Sequence, residues 1–350
     1  MTDAPPLPGR GAPPLPVSVI TGFLGSGKTT LLAALLRHPG MARTAVIVNE
    51  FGEVGLDHDL VEASDEQIVQ LGTGCLCCAT RGDLARSLAD LLARRAAGAV
   101  PPFERVVIET SGLADPAPIL QGLMLDDLMA EALRLDGVVT LVDAVNGPAS
   151  LDRFPEAARQ VAAADRLLLT KTDLAAEPEG LRQRLAALNP DAPILSAVKG
   201  DIDPEALGAR PSPAALPFSL RDQGGAGEDA RAPGRHTHGI GAVCLLRDEP
   251  VPAVALTLFL QALAENCGDR LLRVKGLVAV AESPERPAVI HGVRHVFSPP
   301  AWLPRWPSAD RRSRLVLIGQ EVPAGWVEIL FDMIAAEVRA ATARMQGRTT

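Results

Sequence analysis

A glycine-rich run near the start of the chain sets the strongest limits on its fold: Gly22-Phe23-Leu24-Gly25-Ser26-Gly27-Lys28-Thr29. The run follows a β-branched apolar stretch and precedes a helix-like stretch, which is the context that a phosphate-binding loop requires. Glycines allow a tight turn whose backbone amides face phosphate oxygens, and the helix directs its positive N-terminal end at the same point. The sequence therefore predicts a P-loop that binds a nucleoside triphosphate, and a glycine-rich turn without a ligand is the alternative.

The P-loop residues have different expected roles at the nucleotide. Lys28 should reach the β- and γ-phosphates, and the Thr29 hydroxyl should bind Mg²⁺. The full set of residues predicted to contact nucleotide is Gly22, Gly25, Ser26, Gly27, Lys28, Thr29, Thr30, Lys171 and Asp173.

A second candidate element is the apolar strand 105–109, which ends in Glu109 and is followed three residues later by Gly112. A carboxylate at a strand tip beside a P-loop can organise Mg²⁺ or water, and a glycine amide can meet the γ-phosphate. Many buried strands end in an acidic turn residue without such a role. Together with the P-loop, the pattern predicts a catalytic set of Lys28, Thr29, Glu109 and Gly112.

The identity of the base is expected to depend on Thr170-Lys171-Thr172-Asp173, which ends another apolar strand. An Asp carboxylate can accept hydrogen bonds from the guanine ring N–H and exocyclic amine, and the Lys stem can cover the ring face. GTPases usually have Asn where this chain has Thr170, which leaves Asp173 as the main indication of GTP. Ser196 and Ala197 are either a further base-contacting loop or a plain strand end.

Three of the five cysteines lie within four positions, at Cys75, Cys77 and Cys78. A loop can bring three such thiols together on a soft cation such as Zn²⁺, and three sulfurs leave a tetrahedral site with one open position. An incomplete site suits delivery of a metal, and redox switching is the rival interpretation. Cys244 and Cys267 are expected to be buried and inert.

An acidic, glycine-punctuated stretch, 49–57, lies between the P-loop and the cysteine cluster. In a P-loop GTPase this is the position of a switch loop that becomes ordered around the γ-phosphate and Mg²⁺. Glu50, Glu53 and Asp57 are candidate ligands for either Mg²⁺ or Zn²⁺, and a solvated acidic loop is the alternative. His236 and His238 could capture metal transiently, although two histidines in a linker often have no such role.

Short β-branched runs alternate with amphipathic helical stretches from Val17 to about Ala197, which predicts an α/β fold. We expect a P-loop NTPase domain with a mainly parallel sheet and helices on both faces, followed by a smaller α+β C-terminal domain. The predicted divisions are a disordered Pro-rich tail (1–16), a GTPase domain (17–203), a linker with a short His segment (204–239) and the C-terminal domain (240–346).

The charge balance limits the partners that the chain could bind. Its 34 basic and 42 acidic residues give a formal net charge of −8, which provides no electrostatic footprint for nucleic acid or an anionic membrane. No apolar run approaches the ~18 residues of a membrane span, and the N-terminus does not resemble a signal peptide. The expectation is a cytoplasmic protein without a nucleic-acid or membrane partner.

The order of these motifs resembles that of the CobW-like GTPases, relatives of the nickel-handling GTPases that serve hydrogenase and urease maturation. The motifs that carry the resemblance are 22–30, 49–52, 74–78, 109–112, 170–173, 273–276 and 314–319. The cysteine motif is the most discriminating of them. The resemblance covers nearly everything after residue 16.

The resemblance implies a metallochaperone or metal insertase in which a GTPase cycle controls metal at Cys75, Cys77 and Cys78. The zinc-transfer branch of the family implies Zn²⁺ as cargo, a client metalloprotein as recipient and a homodimer as an option. The alternatives are a cobalt-handling protein of cobalamin synthesis, a nucleotide-switched binding module with a structural zinc, and a small-molecule kinase. The C-terminal domain is expected to contact the client.

Overall fold

The computed structural model describes residues 13–48, 69–70, 81–174, 179–208 and 237–346. The chain divides into two compact units, Met1–Ala186 with Ala192–Arg210, and Ala187–Asp191 with Pro211–Thr350. The predicted tail up to residue 12, the stretch 49–57, the three-cysteine loop and His236 lie outside the described residues.

A parallel β-sheet forms the centre of the first unit. The described residues contribute seven strands, which lie in the order β3-β2-β4-β1-β5-β6-β7, and every registered pair among them is parallel. The strands are β1 (Leu15–Gly22), β2 (Thr44–Val48), β3 (Val69–Gln70), β4 (Arg105–Glu109), β5 (Leu133–Asp143), β6 (Arg166–Thr170) and β7 (Ile194–Ala197). The predicted α/β fold with a mainly parallel sheet is confirmed.

Helices cover both faces of this sheet. Leu31, Leu32 and Leu35 of α1 pack on the face that presents Val139, while the next residue of β5, Thr140, bonds to α6 on the other face, as strand alternation requires. The helices are α1 (Lys28–Leu36), α2 (Arg81–Ala96), α3 (Ala117–Leu125), α4 (Asp127–Ala132), α5 (Gly147–Arg153), α6 (Pro155–Ala163) and α7 (Glu179–Leu188).

Three boundaries differ from the sequence-based expectation. The stretch 116–133 reads as one helix, but Asp126 is extended (φ −84°, ψ 115°) and separates α3 from α4. The predicted linker starts too early: Pro204–Leu207 form a 3₁₀ turn, and Leu207 is buried in the core beneath α1. In the same way, β1 begins at Leu15, inside the predicted tail.

The second unit has a six-stranded antiparallel sheet in the order β11-β10-β9-β13-β8, with β12 paired to β10. Two helices pack on one face, where Phe259 and Phe331 meet edge to face with ring centroids 5.0 Å apart. The elements are β8 (Ile240–Arg247), α8 (Ala253–Cys267), β9 (Leu271–Val278), β10 (Ala288–Val293), β11 (Val296–Phe297), β12 (Ala301–Trp302), β13 (Ser313–Gln320) and α9 (Ala324–Gln346). This confirms the smaller α+β domain.

No helix among the described residues is long and apolar enough to cross a lipid bilayer.

Candidate nucleotide-binding site

The P-loop lies at the carboxyl end of β1 and has a backbone that requires glycine. Gly22, Gly25 and Gly27 have φ values of 144°, 72° and 93°, which L-residues with a Cβ rarely adopt. A Cβ on Gly22 would lie 2.5 Å from the Leu141 carbonyl oxygen. No described side chain caps the start of α1, so its first amides are oriented as in other anion-binding helix termini.

Lys28 is folded back over this loop. Its buried ammonium donates to the carbonyl oxygens of Gly22 at 2.7 Å and Phe23 at 3.2 Å. These two bonds hold the ammonium against the backbone of the loop. It can therefore compensate the charge of a phosphate group held by the loop amides.

The oxygen atoms needed for a hard cation come from α1 and β4. The Thr29 hydroxyl donates to Glu109 Oε1 at 3.5 Å, and Glu109 is only 5% exposed. Parallel pairing of Ile20 with Glu109 brings this carboxylate beside the P-loop. A hydroxyl and a carboxylate are ligands that Mg²⁺ accepts together with phosphate oxygens, so the donor set fits a Mg²⁺-nucleotide.

Gly112 lies directly against the P-loop. A Cβ at this position would be 2.6 Å from Leu24 Cδ2 and 2.9 Å from the Leu24 backbone nitrogen. The loop that follows β4 and contains Gly112 is also bonded to α6, because the Gln160 side-chain amide donates to the carbonyl oxygens of Gly112 and Ala114. Sequence reasoning missed Gln160, since a glutamine in an amphipathic helix carries no signal of a contact 48 residues away.

Thr170 connects the base-side loop to the P-loop. Its hydroxyl donates to the Ser26 carbonyl oxygen at 2.7 Å, so the residue that stands in place of the usual Asn makes a direct tie between the two loops. Lys171 follows with a positive φ of 56°, and Asp173 is exposed at the surface. The structure thus brings Lys171 and Asp173 to the same end of the sheet as the P-loop.

Asp143 anchors Lys171 and was also missed by sequence reasoning. Its carboxylate accepts from Lys171 Nζ at 2.8 Å, from the backbone amides of Val145 and Asn146, and from the Asn146 side chain. Burial by itself would raise the pKa of Asp143, but these bonds together hold the pKa below its usual value. Only its position in the sequence could have indicated this role, because Asp143 ends β5 and Lys171 follows the neighbouring parallel strand β6.

The remaining predicted site residues have varied positions. Gly25 and Thr30 are exposed, while Ser26 is buried, with its hydroxyl inside the protein and its amide bonded to the Phe23 carbonyl oxygen. Cys75, Cys77, Cys78 and Glu50 lie outside the described residues. Among the residues that are described, no three His, Cys, Asp or Glu side chains form a group suited to a metal.

Two further expectations concern residues of the second unit. Cys267 is buried as predicted, and burial raises the pKa of its thiol. Cys244 is exposed at an outward position of β8, so its predicted burial is wrong. Desolvation and the Asp191 charge nevertheless raise the pKa of its thiol to about 11, which agrees with the predicted inertness. His238 adopts a left-handed conformation with φ 56°, and its carbonyl oxygen accepts from Gln320.

The fold and this site define a P-loop GTPase. The chain belongs to the CobW/HypB/UreG family: residues 16–196 match its nucleotide-binding domain, and residues 240–335 match the C-terminal domain of the cobalamin synthesis protein cobW. The family resemblance read from the motifs is confirmed.

Similar proteins span nearly the whole chain. It is 35% identical to the zinc chaperone YjiA of Escherichia coli over 91% of this chain and 98% of the relative. It is 32% identical to the zinc chaperone CobW of Pseudomonas aeruginosa, with 90% of each chain covered. The crystal structure of Zn(II)-bound YjiA GTPase from E. coli superposes with a TM-score of 0.68 at 30% identity, covering 92% of this chain and 99% of that one.

Proposed function

We propose that the protein is a GTP-hydrolysing metallochaperone that binds Zn²⁺ and transfers it to client metalloproteins. The observation that carries the nucleotide part is the approach of Thr29 to Glu109 beside the Lys28 ammonium. The cargo is inferred from the relatives named as zinc chaperones, which align with about nine-tenths of this chain, and from the zinc-bound structure that shares its fold.

In this proposal the residues around the phosphates divide the work of hydrolysis. Lys28 compensates charge on the β- and γ-phosphates, while Thr29 and Glu109 hold Mg²⁺, which neutralises charge that develops as the phosphate bond breaks. Gly112 presents its amide to the γ-phosphate. Only a residue without a side chain can approach the P-loop backbone as closely as Gly112 approaches Leu24.

The base is held on the other side of the P-loop. Asp173 accepts hydrogen bonds from guanine, and the Lys171 stem covers the ring face. The ion pair with Asp143 keeps Lys171 in place, and Thr170 keeps the base loop in register with the phosphate loop. GTP is therefore the preferred nucleotide.

The proposed metal ligands are Cys75, Cys77 and Cys78, with Glu50 as a ligand to either zinc or magnesium. Sheet order supports control of this metal by the nucleotide. Val48, the last residue of β2, pairs with Glu109, so the segment that contains Glu50 starts beside the magnesium ligands. β3 pairs with β2 in parallel and precedes the cysteines by a few residues. The chain after β2 and the chain after β3 therefore both start at the carboxyl end of the sheet, where Glu109 lies.

The γ-phosphate thereby acts on the metal through loops that start at neighbouring strands. Loops ordered by GTP gather the thiolates, and hydrolysis loosens them and frees the metal. The second unit, over residues 240–346, is proposed to contact the client. A homodimer and a cytoplasmic location stay predictions.

Zinc release under single-turnover conditions tests this function. Protein loaded with one Zn²⁺ and with GTP should release zinc to a chromophoric chelator at the rate of phosphate release, because hydrolysis loosens the site. The same protein with a non-hydrolysable GTP analogue should retain its zinc. Equal release rates in both samples would contradict the proposal. Cooperative unfolding of the first unit on zinc removal would instead show a structural metal.

A further inference from the structure

A buried glutamine holds the backbone of the loop that follows β4. Gln160 is 0% exposed, and its Nε2 donates to the carbonyl oxygens of Gly112 at 3.1 Å and Ala114 at 3.0 Å. A side-chain amide has two N–H donors, so both bonds form at once, and two carbonyl acceptors fix which end of the amide carries nitrogen. The loop is thus tied to α6 on both sides of Leu113.

The helix that carries this glutamine is itself fixed to the sheet. The buried Thr140 hydroxyl on β5 donates to the Gln160 backbone carbonyl oxygen at 2.8 Å. The backbone of Gln160 is therefore bonded to β5, and its side chain is bonded to the loop. The helix is also held by its buried residues Ala157, Ala158, Val161, Ala162 and Ala163, so the side chain of Gln160 keeps its place without the Thr140 bond.

Packing alone does not explain a glutamine at this position. Gln160 Oε1 is buried and has no hydrogen-bond partner in the described part of the chain, an arrangement that costs free energy. An apolar side chain of the same length would fill the space without this cost. The two bonds to the loop are what the amide adds.

We propose that Gln160 is a positioning residue that sets the distance between Gly112 and the phosphate loop, and so sets both the preference for GTP over GDP and the hydrolysis rate. A Cβ on Gly112 would clash with the Leu24 backbone, so the two backbones lie close together. A small displacement of the Gly112 backbone therefore changes its reach toward a γ-phosphate. The inference rests on the proposed role of Gly112 at that phosphate.

Gln160→Met tests the proposal, because methionine keeps the length of the side chain and removes both donors. The kcat of GTP hydrolysis should fall about tenfold, as expected when a buried hydrogen bond is lost from a rate-determining arrangement. Affinity for a non-hydrolysable GTP analogue should fall as well, while affinity for GDP is retained. Phosphate release and titrations with fluorescent nucleotides on one preparation measure all three quantities.

Thr140→Val is the matched control, since it removes the other buried hydrogen bond of Gln160 and leaves the amide bonds intact. It should lower the thermal midpoint without changing the ratio of GTP-analogue to GDP affinity. If Gln160→Met does not fold, the shorter amide in Gln160→Asn must show the same selective loss. The proposal would be overturned if Gln160→Met kept the wild-type kcat or lost affinity for the GTP analogue and for GDP equally. It would also be overturned if Thr140→Val showed the same selective loss, or if neither Gln160 variant folded.

Gly112→Ala separates this inference from the function on which it rests. The added methyl group would meet the Leu24 backbone, so hydrolysis should be impaired if Gly112 serves the γ-phosphate. Normal hydrolysis in Gly112→Ala would contradict the proposed role of Gly112. Impaired hydrolysis in Gly112→Ala with normal hydrolysis in Gln160→Met would remove only the role of Gln160.

Discussion

Lys28→Ala should reduce the kcat of GTP hydrolysis by about 10²- to 10³-fold, the cost of removing one preorganised donor from a developing anion. The ammonium is buried and bonded to Gly22 and Phe23, so it is held in place before nucleotide binds. Alanine supplies neither the charge nor the bonds to the loop. Phosphate release measured at saturating GTP and Mg²⁺ reports this loss directly.

Lys199→Ala is a control with the same change of charge. Lys199 is exposed, lies in the same unit and shares a left-handed backbone conformation with Lys171. Its removal should leave the hydrolysis rate unchanged. A Lys28→Ala protein that folds and retains a rate within about threefold of the wild type would contradict the assignment, because a preorganised phosphate clamp is worth far more.

Cys77→Ala should lower the affinity for Zn²⁺ by more than about 100-fold. Removing a residue that only hydrogen-bonds a metal ligand typically lowers metal affinity 10- to 100-fold, and removing the ligand itself should lower it at least as much. The effect should be largest in the GTP-bound state, where the proposal places all three thiolates on the metal. Competition against a chromophoric zinc chelator under reducing conditions gives the affinity.

Cys244→Ala is the matched control, since Cys244 is an exposed thiol on β8 of the second unit. It should bind zinc as the wild type does. Zinc affinity in Cys77→Ala within about threefold of the wild type, where a lost ligand should cost far more, would remove the cysteine motif from the metal site. GTP hydrolysis in Cys77→Ala should persist, because the proposal assigns the phosphate and magnesium contacts to Lys28, Thr29 and Glu109.

The parts of the site that could be predicted from sequence are those whose chemistry is local. The P-loop requires glycines where φ is positive, so Gly22, Gly25 and Gly27 mark it directly. Strand β4 matches its predicted bounds, 105–109, because a short apolar run that ends in a polar residue has few other interpretations. The break between α3 and α4 at Asp126 was not predicted, because a single extended residue interrupts an otherwise continuous helical pattern of apolar residues.

The parts that could not be predicted depend on contacts between distant segments. Asp143 and Lys171 are 28 residues apart, and Gln160 and Gly112 are 48 apart. Their pairing follows from sheet order and from the position of α6, neither of which is contained in local spacing. The role of Thr170 could not be predicted for the same reason. Its hydroxyl bonds to Ser26, a residue far away in the sequence, and this bond joins the base loop to the P-loop although the usual Asn is absent.

The central claim is that the nucleotide controls the metal site, and one equilibrium measurement tests it most directly. The Zn²⁺ dissociation constant of the wild-type protein is measured with Mg²⁺ and a non-hydrolysable GTP analogue, and again with Mg²⁺ and GDP. Coupling between two sites in proteins is typically about 5- to 150-fold, so zinc should bind tighter in the GTP-analogue state by a factor in that range. Equal zinc affinity in the two nucleotide states would contradict the account.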